Sequence, residues 1–163
     1  MRILALDLGT HTGVACADGK ACYASTWHLA KSGEITNWGK TRMDRRQDPR
    51  VPRLFEMLKT FKGFDVVVFE DVEFQTYTQQ CQLWSSLRAA VWMSFREPTY
   101  LDCVPVGTLK LFATGYGQAT KEQMAAALYK KFPELKNNGY DDNAVDAVWL
   151  LKWAEVHLCR LKR

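Results

Sequence analysis

The sequence predicts an α/β fold: a mixed five-stranded sheet, its first three strands antiparallel and the others parallel, with helices on both faces. Three observations predict it. The chain opens on three short runs rich in β-branched, aromatic and alanine residues, with Asp18-Gly19, a strong hairpin signal, between the second and third. The continuous apolar run FDVVVFE at 64–70 reads as a central strand covered on both faces. It follows a helical stretch, which places it parallel to the first strand, and the whole order becomes β-β-β-α-β-α-β-α-α.

The opening meander is assigned to Arg2–Asp7, Thr12–Ala17 and Lys20–His28. Leu54, Phe55, Leu58 and Phe61 have helical spacing within 51–61, and Gly63 ends that helix. Thr76 to Phe95 is long enough for a helix, with Leu83, Leu87, Ala90, Val91 and Ser94 on one side and Pro98 beyond its end. Tyr100 to Val104 is a fifth strand and Gly107 to Ala113 a short helix, before the turn Gly115-Tyr116-Gly117. Lys121 to Phe132 carries Met124, Leu128 and Phe132 on one stripe. A polar loop at 133–140 leads to a last helix from about Asp141 to Leu161, with Val145, Val148, Trp149 and Leu151 towards the core.

A chain of 163 residues, 47% hydrophobic and 25% charged, has the size and composition of one globular domain spanning 1–163. Disordered, collagen-like and coiled-coil classes are excluded. No apolar run approaches the ~20 residues that span a bilayer, and the first residues, with an aspartate at position 7, are unlike a secretory signal peptide. Five cysteines at irregular spacings, with no CxxC pair, suit reduced thiols in a cytoplasmic setting and core positions for their side chains.

The net charge of +4 is concentrated. In KTRMDRRQDPRVPR at 40–53, Lys40, Arg42, Arg45, Arg46, Arg50 and Arg53 face only Asp44 and Asp48. Such a segment is either a solvated loop or a contact for phosphates, whose counterions arginine and lysine displace.

Acidic residues end the elements that should converge. Asp7 ends the first strand and Glu70 the buried one, while Asp142 and Asp146 open the last helix four residues apart, about 6 Å between Cβ atoms. In an open α/β sheet ligands gather beyond the carboxyl ends of the strands. Carboxylates gathered there repel one another unless a cation sits among them. Magnesium prefers such oxygens, and two ions roughly 4 Å apart stabilise both oxygens of a phosphodiester displacement. Strand-end acids facing solvent, with Asp141 and Asp142 capping a helix, are the alternative. Lys121 stands at a helix start beside the Gly-x-Gly turn, where backbone N–H groups favour phosphate. His11, His28 and His157 form no metal-spaced motif, and His11 is assigned to a turn; no nucleotide-binding GxxxxGK[ST] loop is present.

Four segments in order, ILALDLGTHTGVA at 3–15, VVVFEDVEF at 66–74, VGTLKLFATGYGQATKEQM at 106–124 and DDNAVDAVWLL at 141–151, resemble the RuvC-type Holliday-junction resolvases, especially the shorter phage-like members. The resemblance covers nearly the whole chain and implies a ribonuclease H-like fold. It also implies a homodimeric, metal-dependent endodeoxyribonuclease that nicks two opposing strands of a four-way junction in the cytoplasm of a bacterium or phage-infected host. Two magnesium ions per site, replaceable by manganese, are implied as cofactors. Carried over by position, Asp7, Glu70 and Asp146 match metal-binding acids, with Asp142 as the fourth and Asn143 as an alternative oxygen ligand. Lys110 and Lys121 match basic residues near the scissile phosphate or the DNA backbone. Phe74 and Tyr77 match aromatics that stack on unpaired bases, and Arg42, Arg45, Arg46 and Arg50 extend the DNA-binding surface. The helix LWSSLRAAVW lacks a glycine that resolvases often place where subunits pack, leaving Trp84 and Trp92 as candidates for a dimer interface.

Three rivals remain at this stage. Asp7-Leu8-Gly9-Thr10 followed by Thr12-Gly13 also resembles the first phosphate loop of sugar kinases and actin-like ATPases, which need two such domains. A less selective nuclease of branched DNA or RNA–DNA hybrids would use the same acids, and a non-catalytic binder of branched DNA would use only the basic loop and aromatics.

Overall fold

A computed structural model describes residues 1–19, 22–34, 48–72 and 77–158. The strands are β1 (Arg2–Asp7), β2 (His11–Asp18), β3 (Cys22–His28), β4 (Val66–Asp71) and β5 (Tyr100–Pro105). The helices are α1 (Arg50–Lys59), α2 (Thr78–Ser94), α3 (Val106–Thr114), α4 (Lys121–Lys131) and α5 (Asp142–His157). The five strands form one sheet in the order β3-β2-β1-β4-β5. β1, β2 and β3 pair antiparallel, and β4 pairs parallel with both β1 and β5. This is the expected mixed sheet. The chain leaves β1 in one direction for β2 and β3 and returns to its other side for β4 and β5, so the β1/β4 boundary is a topological switch point.

Alternation along the strands gives the sheet two different faces. Ile3, Ala5, Ala15, Val66 and Val68 pack beneath α5, α3 and α4, whereas Leu4, Leu6, Val14, Val67 and Phe69 pack beneath α1 and α2. α5 is the central cover. Val145, Val148, Trp149 and Leu151 are buried as expected, and the Trp149 indole N–H donates to the Met124 carbonyl at 3.1 Å, tying α5 to α4.

The differences from the sequence-based expectation have local causes. The region expected to be a polar loop contains a 3₁₀ turn at Pro133–Asn138, opened by proline and closed by Gly139 at φ 65°. His11 is the first residue of β2 rather than a turn residue, because its backbone pairs with His28. The four described cysteines are not core residues: Cys22 and Cys81 are exposed, and Cys16 and Cys103 only partly covered. Among the described residues no helix is long and apolar enough to cross a membrane.

Candidate active site

The register explains how three carboxylates meet. Leu6 pairs with Phe69, so Asp7 and Glu70 leave neighbouring parallel strands side by side. Both lie on the α5 face, in phase with Ala5 and Val68. Asp7 pairs across to Gly13 of β2, and at Gly13 the helix comes down onto the sheet. A Cβ built on Gly13 would lie 1.9 Å from the Asn143 carbonyl oxygen and 3.2 Å from Cβ of Ala147. Only glycine permits this approach, which brings Asp146, between those two residues, over Asp7 and Glu70.

The start of α5 is held from two sides. Asp141 is its N-cap, accepting from the Ala144 N–H at 3.0 Å, and the Thr26 hydroxyl on β3 donates to the same carboxylate oxygen at 2.5 Å. The turn after Asp7 is also fixed. Thr12, fully buried, donates its hydroxyl to the Gly9 carbonyl at 2.8 Å, and Arg50 donates to the Thr10 hydroxyl at 2.8 Å.

The three carboxylates are partly accessible yet densely surrounded by protein. Burial, with Asp7 and Asp146 as charged neighbours, pushes Glu70 from 4.5 up to about 8. Burial and the charge of Asp146 push Asp7 from 3.8 up to about 7, against the pull of Lys121. Burial raises Asp146 to about 6, again opposed by Lys121 and Lys110. Asp7 and Glu70 are hydrogen-bonded, and the bond lowers Asp7 while raising Glu70. The two carboxyl groups therefore titrate as a pair, held above the ordinary carboxylate range.

Lys121 is the first residue of α4, placed by a capping box in which Thr120 and Gln123 satisfy one another's backbone N–H groups. Its ammonium lies 3.5 Å from Asp142, and both side chains are more than half exposed. Lys110, on α3, is half-buried and acts on Glu70 and Asp146 through its charge. Asp142 thus sits at the rim, paired with Lys121, while Asn143 is half-buried with its backbone against Gly13.

Other expected residues fall elsewhere. Arg50, expected on the DNA-binding surface, is 7% exposed, and its guanidinium donates to Asp48 at 2.7 and 2.9 Å as well as to Thr10. Arg53 is likewise engaged, donating to the Leu29 carbonyl and to Glu34. Tyr77, at the N-cap position of α2, is 67% exposed, as a stacking residue requires. Phe74, Arg42, Arg45 and Arg46 lie outside the described residues. Gly13, which the kinase-like reading placed in a phosphate loop, lies directly beneath α5. Sequence reasoning missed Gly13 as the contact that seats Asp146, and missed the Thr26–Asp141 link. Both depend on cross-strand register, which no local motif carries.

An all-oxygen donor set under mutual repulsion fits a hard divalent cation. As they stand, Asp7 and Glu70 bond to each other, and among the described residues no three His, Cys, Asp or Glu side chains form a closed coordination group. The fit is one of chemistry: an ion would replace the proton that the two strand-end acids share.

A mixed sheet of this order with helices on both faces is the ribonuclease H-like fold, and here acids stand at the carboxyl ends of adjacent β1 and β4 beneath a covering helix that carries a third. Within that class the chain has the fold of RuvC. RuvC from Thermus thermophilus in complex with Holliday junction substrate superposes with a TM-score of 0.67 at 18% identity, covering 92% of this chain and 90% of RuvC. A second Thermus thermophilus RuvC structure gives 0.63 at 19% identity over the same shares, and the yeast mitochondrial Holliday junction resolvase gives 0.55 at 16%, covering 91% and 75%. No protein-family model and no curated protein sequence matches the chain.

Proposed function

We propose that residues 1–163 form one nuclease domain that cleaves four-way DNA junctions by magnesium-dependent phosphodiester hydrolysis. The observation that carries this reading is the meeting of Asp7, Glu70 and Asp146 at the β1/β4 switch point, where burial above all raises all three above the ordinary carboxylate range, with neighbouring carboxylates adding to it: Asp146 at Asp7 and Glu70, and Asp142 at Asp146. Nothing in the packing of the sheet needs three acids there, and their repulsion is a cost that a bound cation removes. The fold shared with RuvC supports DNA as the substrate.

Asp7, Glu70 and Asp146 would hold the ions, with Asp142 or the Asn143 amide completing the set. When bound, magnesium supplies the Lewis acidity that activates water and stabilises a leaving 3′-oxygen. Lys121 exchanges its contact with Asp142 for the phosphate and offsets charge developing on it, helped by the positive end of α4. Lys110 keeps the surroundings of Glu70 and Asp146 receptive to an anion. Tyr77 stacks on an unpaired base at the branch, and Arg42, Arg45 and Arg46 contact the flanking backbone. Two opposing nicks require two copies of this site, so a homodimer is the working form. Trp92, 49% exposed, and Met93, 62% exposed, on α2 are the candidate contact.

The test is incubation with a labelled four-way junction, a matched duplex and an RNA–DNA hybrid, with magnesium or with chelator. Paired, symmetric, magnesium-dependent nicks confined to the junction are expected. Cutting of the hybrid instead would move the assignment to ribonuclease activity, and binding without cutting would leave a branched-DNA binding protein.

A further inference from the structure

The two histidines that sequence spacing left unconnected are brought together by the sheet. His11 and His28 are register partners across β2 and β3, and their Nδ1 atoms are 2.8 Å apart with the rings edge to face at 78°. The backbone beside them is pinned by the Leu29 N–H donating to the Thr10 carbonyl at 2.9 Å. Both imidazoles are exposed. Thr26, two residues before His28 and on the same face of β3, bonds to Asp141, which places the Asp141 carboxylate close to the histidine pair. A solvent-open pair of imidazole nitrogens therefore points at one spot, with a carboxylate close by.

We propose that His11 and His28 form a clamp for a borderline divalent transition ion such as zinc, separate from the carboxylate site and completed by water. Metal–nitrogen distances of about 2.0–2.1 Å put two imidazole ligands of one tetrahedral ion roughly 3.3 Å apart, so the present spacing opens by about half an ångström. One Nδ1 now donates to the other. On binding, that ring shifts its proton to Nε2 through solvent, so both imidazoles stay neutral and each offers an Nδ1 lone pair. Asp141 offsets the ion's charge without leaving Thr26. Donor type sorts the metals: oxygen-only Asp7, Glu70 and Asp146 suit magnesium, and imidazole suits zinc. A zinc ion here would tie β2 to β3 beside the β3–α5 link and brace the hairpin on which α5 begins. The clamp does not depend on the nuclease reading, since it uses none of the proposed magnesium ligands.

The test is zinc titration of the purified chain in excess magnesium, followed by imidazole ¹⁵N resonances, with His157 as the internal control. The His11 and His28 Nδ1 signals should move together and saturate at one zinc per chain while His157 stays put. Calorimetric affinity should fall at least ~10-fold in His11→Ala and in His28→Ala, and remain unchanged in Asp7→Asn and in Cys22→Ser. Zinc should raise the unfolding temperature of the parent chain but not of the histidine variants. Unmoved His11 and His28 signals at saturating zinc, or affinity lost in Asp7→Asn or Cys22→Ser instead, would overturn the clamp.

Discussion

Glu70 and Asp71 are consecutive residues of one strand, yet they end its two faces in opposite ways. Asp71 points with Phe69 towards α2, where Arg88 donates to it at 3.3 Å and the Cys103 thiol at 3.7 Å. Arg88 is itself laid against Trp84, Trp92 and Phe69, its carbon 5.0, 4.7 and 5.7 Å from the ring centres. Glu70 points towards α5 and meets two more carboxylates, with Lys110 as a distant counter-charge. Asp71 is given a cation by its own fold, whereas Glu70 is given further acids, which on the proposed function makes it a ligand for a cation from outside.

Breaking the unpaired side should have the largest effect. Asp7→Asn or Glu70→Gln should lower junction cleavage by more than ~10²-fold with junction binding kept, as removal of other electrostatic stabilisers does; single-turnover rates and gel-shift affinities measure the two separately. The same variants should be more stable than the parent in chelator at pH 8, because they remove a charge that the fold disfavours.

Gly13→Ala should come next. Its Cβ would displace the Asn143 carbonyl, lifting α5 from Asp7 and costing about 1–3 kcal/mol in urea unfolding, with cleavage falling alongside.

The pH dependence sharpens the comparison. Asp7, Glu70 and Asp146 have folded pKa values of about 7, 8 and 6 against 3.8, 4.5 and 3.8 for their ordinary forms. Between roughly pH 4 and 8 the folded chain therefore holds protons that the unfolded chain has released, and stability is lost as pH rises through that window. Chelator-treated protein should lose stability steadily from pH 5 to pH 8 in urea titrations. Magnesium should flatten the decline.

The paired side should give the smallest effect. The Asp71–Arg88 bridge is about a quarter exposed on each side, so Asp71→Asn should cost roughly 1 kcal/mol or less with cleavage retained.

Much of the fold was legible because its elements carry strong local signals. The Asp18-Gly19 turn, the apolar 66–69 run and the α5 stripe each specify type and face without tertiary help. The three acids were legible for the same reason, standing at the ends of well-marked elements. The engagement of Arg50 was not legible, because composition does not separate a solvated arginine from one folded back onto Asp48 and Thr10. Gly13 and the His11–His28 pair were invisible because their meaning arises from cross-strand register, set by the whole sheet. Pairing of the acids was equally hidden: 66–71 reads VVVFED, and only strand alternation and the position of Arg88 assign its two carboxylates to different fates.

The most direct measurement is a side-by-side cleavage assay of Glu70→Gln and Asp71→Asn on one labelled four-way junction in magnesium. The account predicts paired nicks at close to parental rate from Asp71→Asn and their near-complete loss from Glu70→Gln, with equal junction binding by both. Equal cleavage by the two variants, or loss confined to Asp71→Asn, would contradict a catalytic centre on the α5 face.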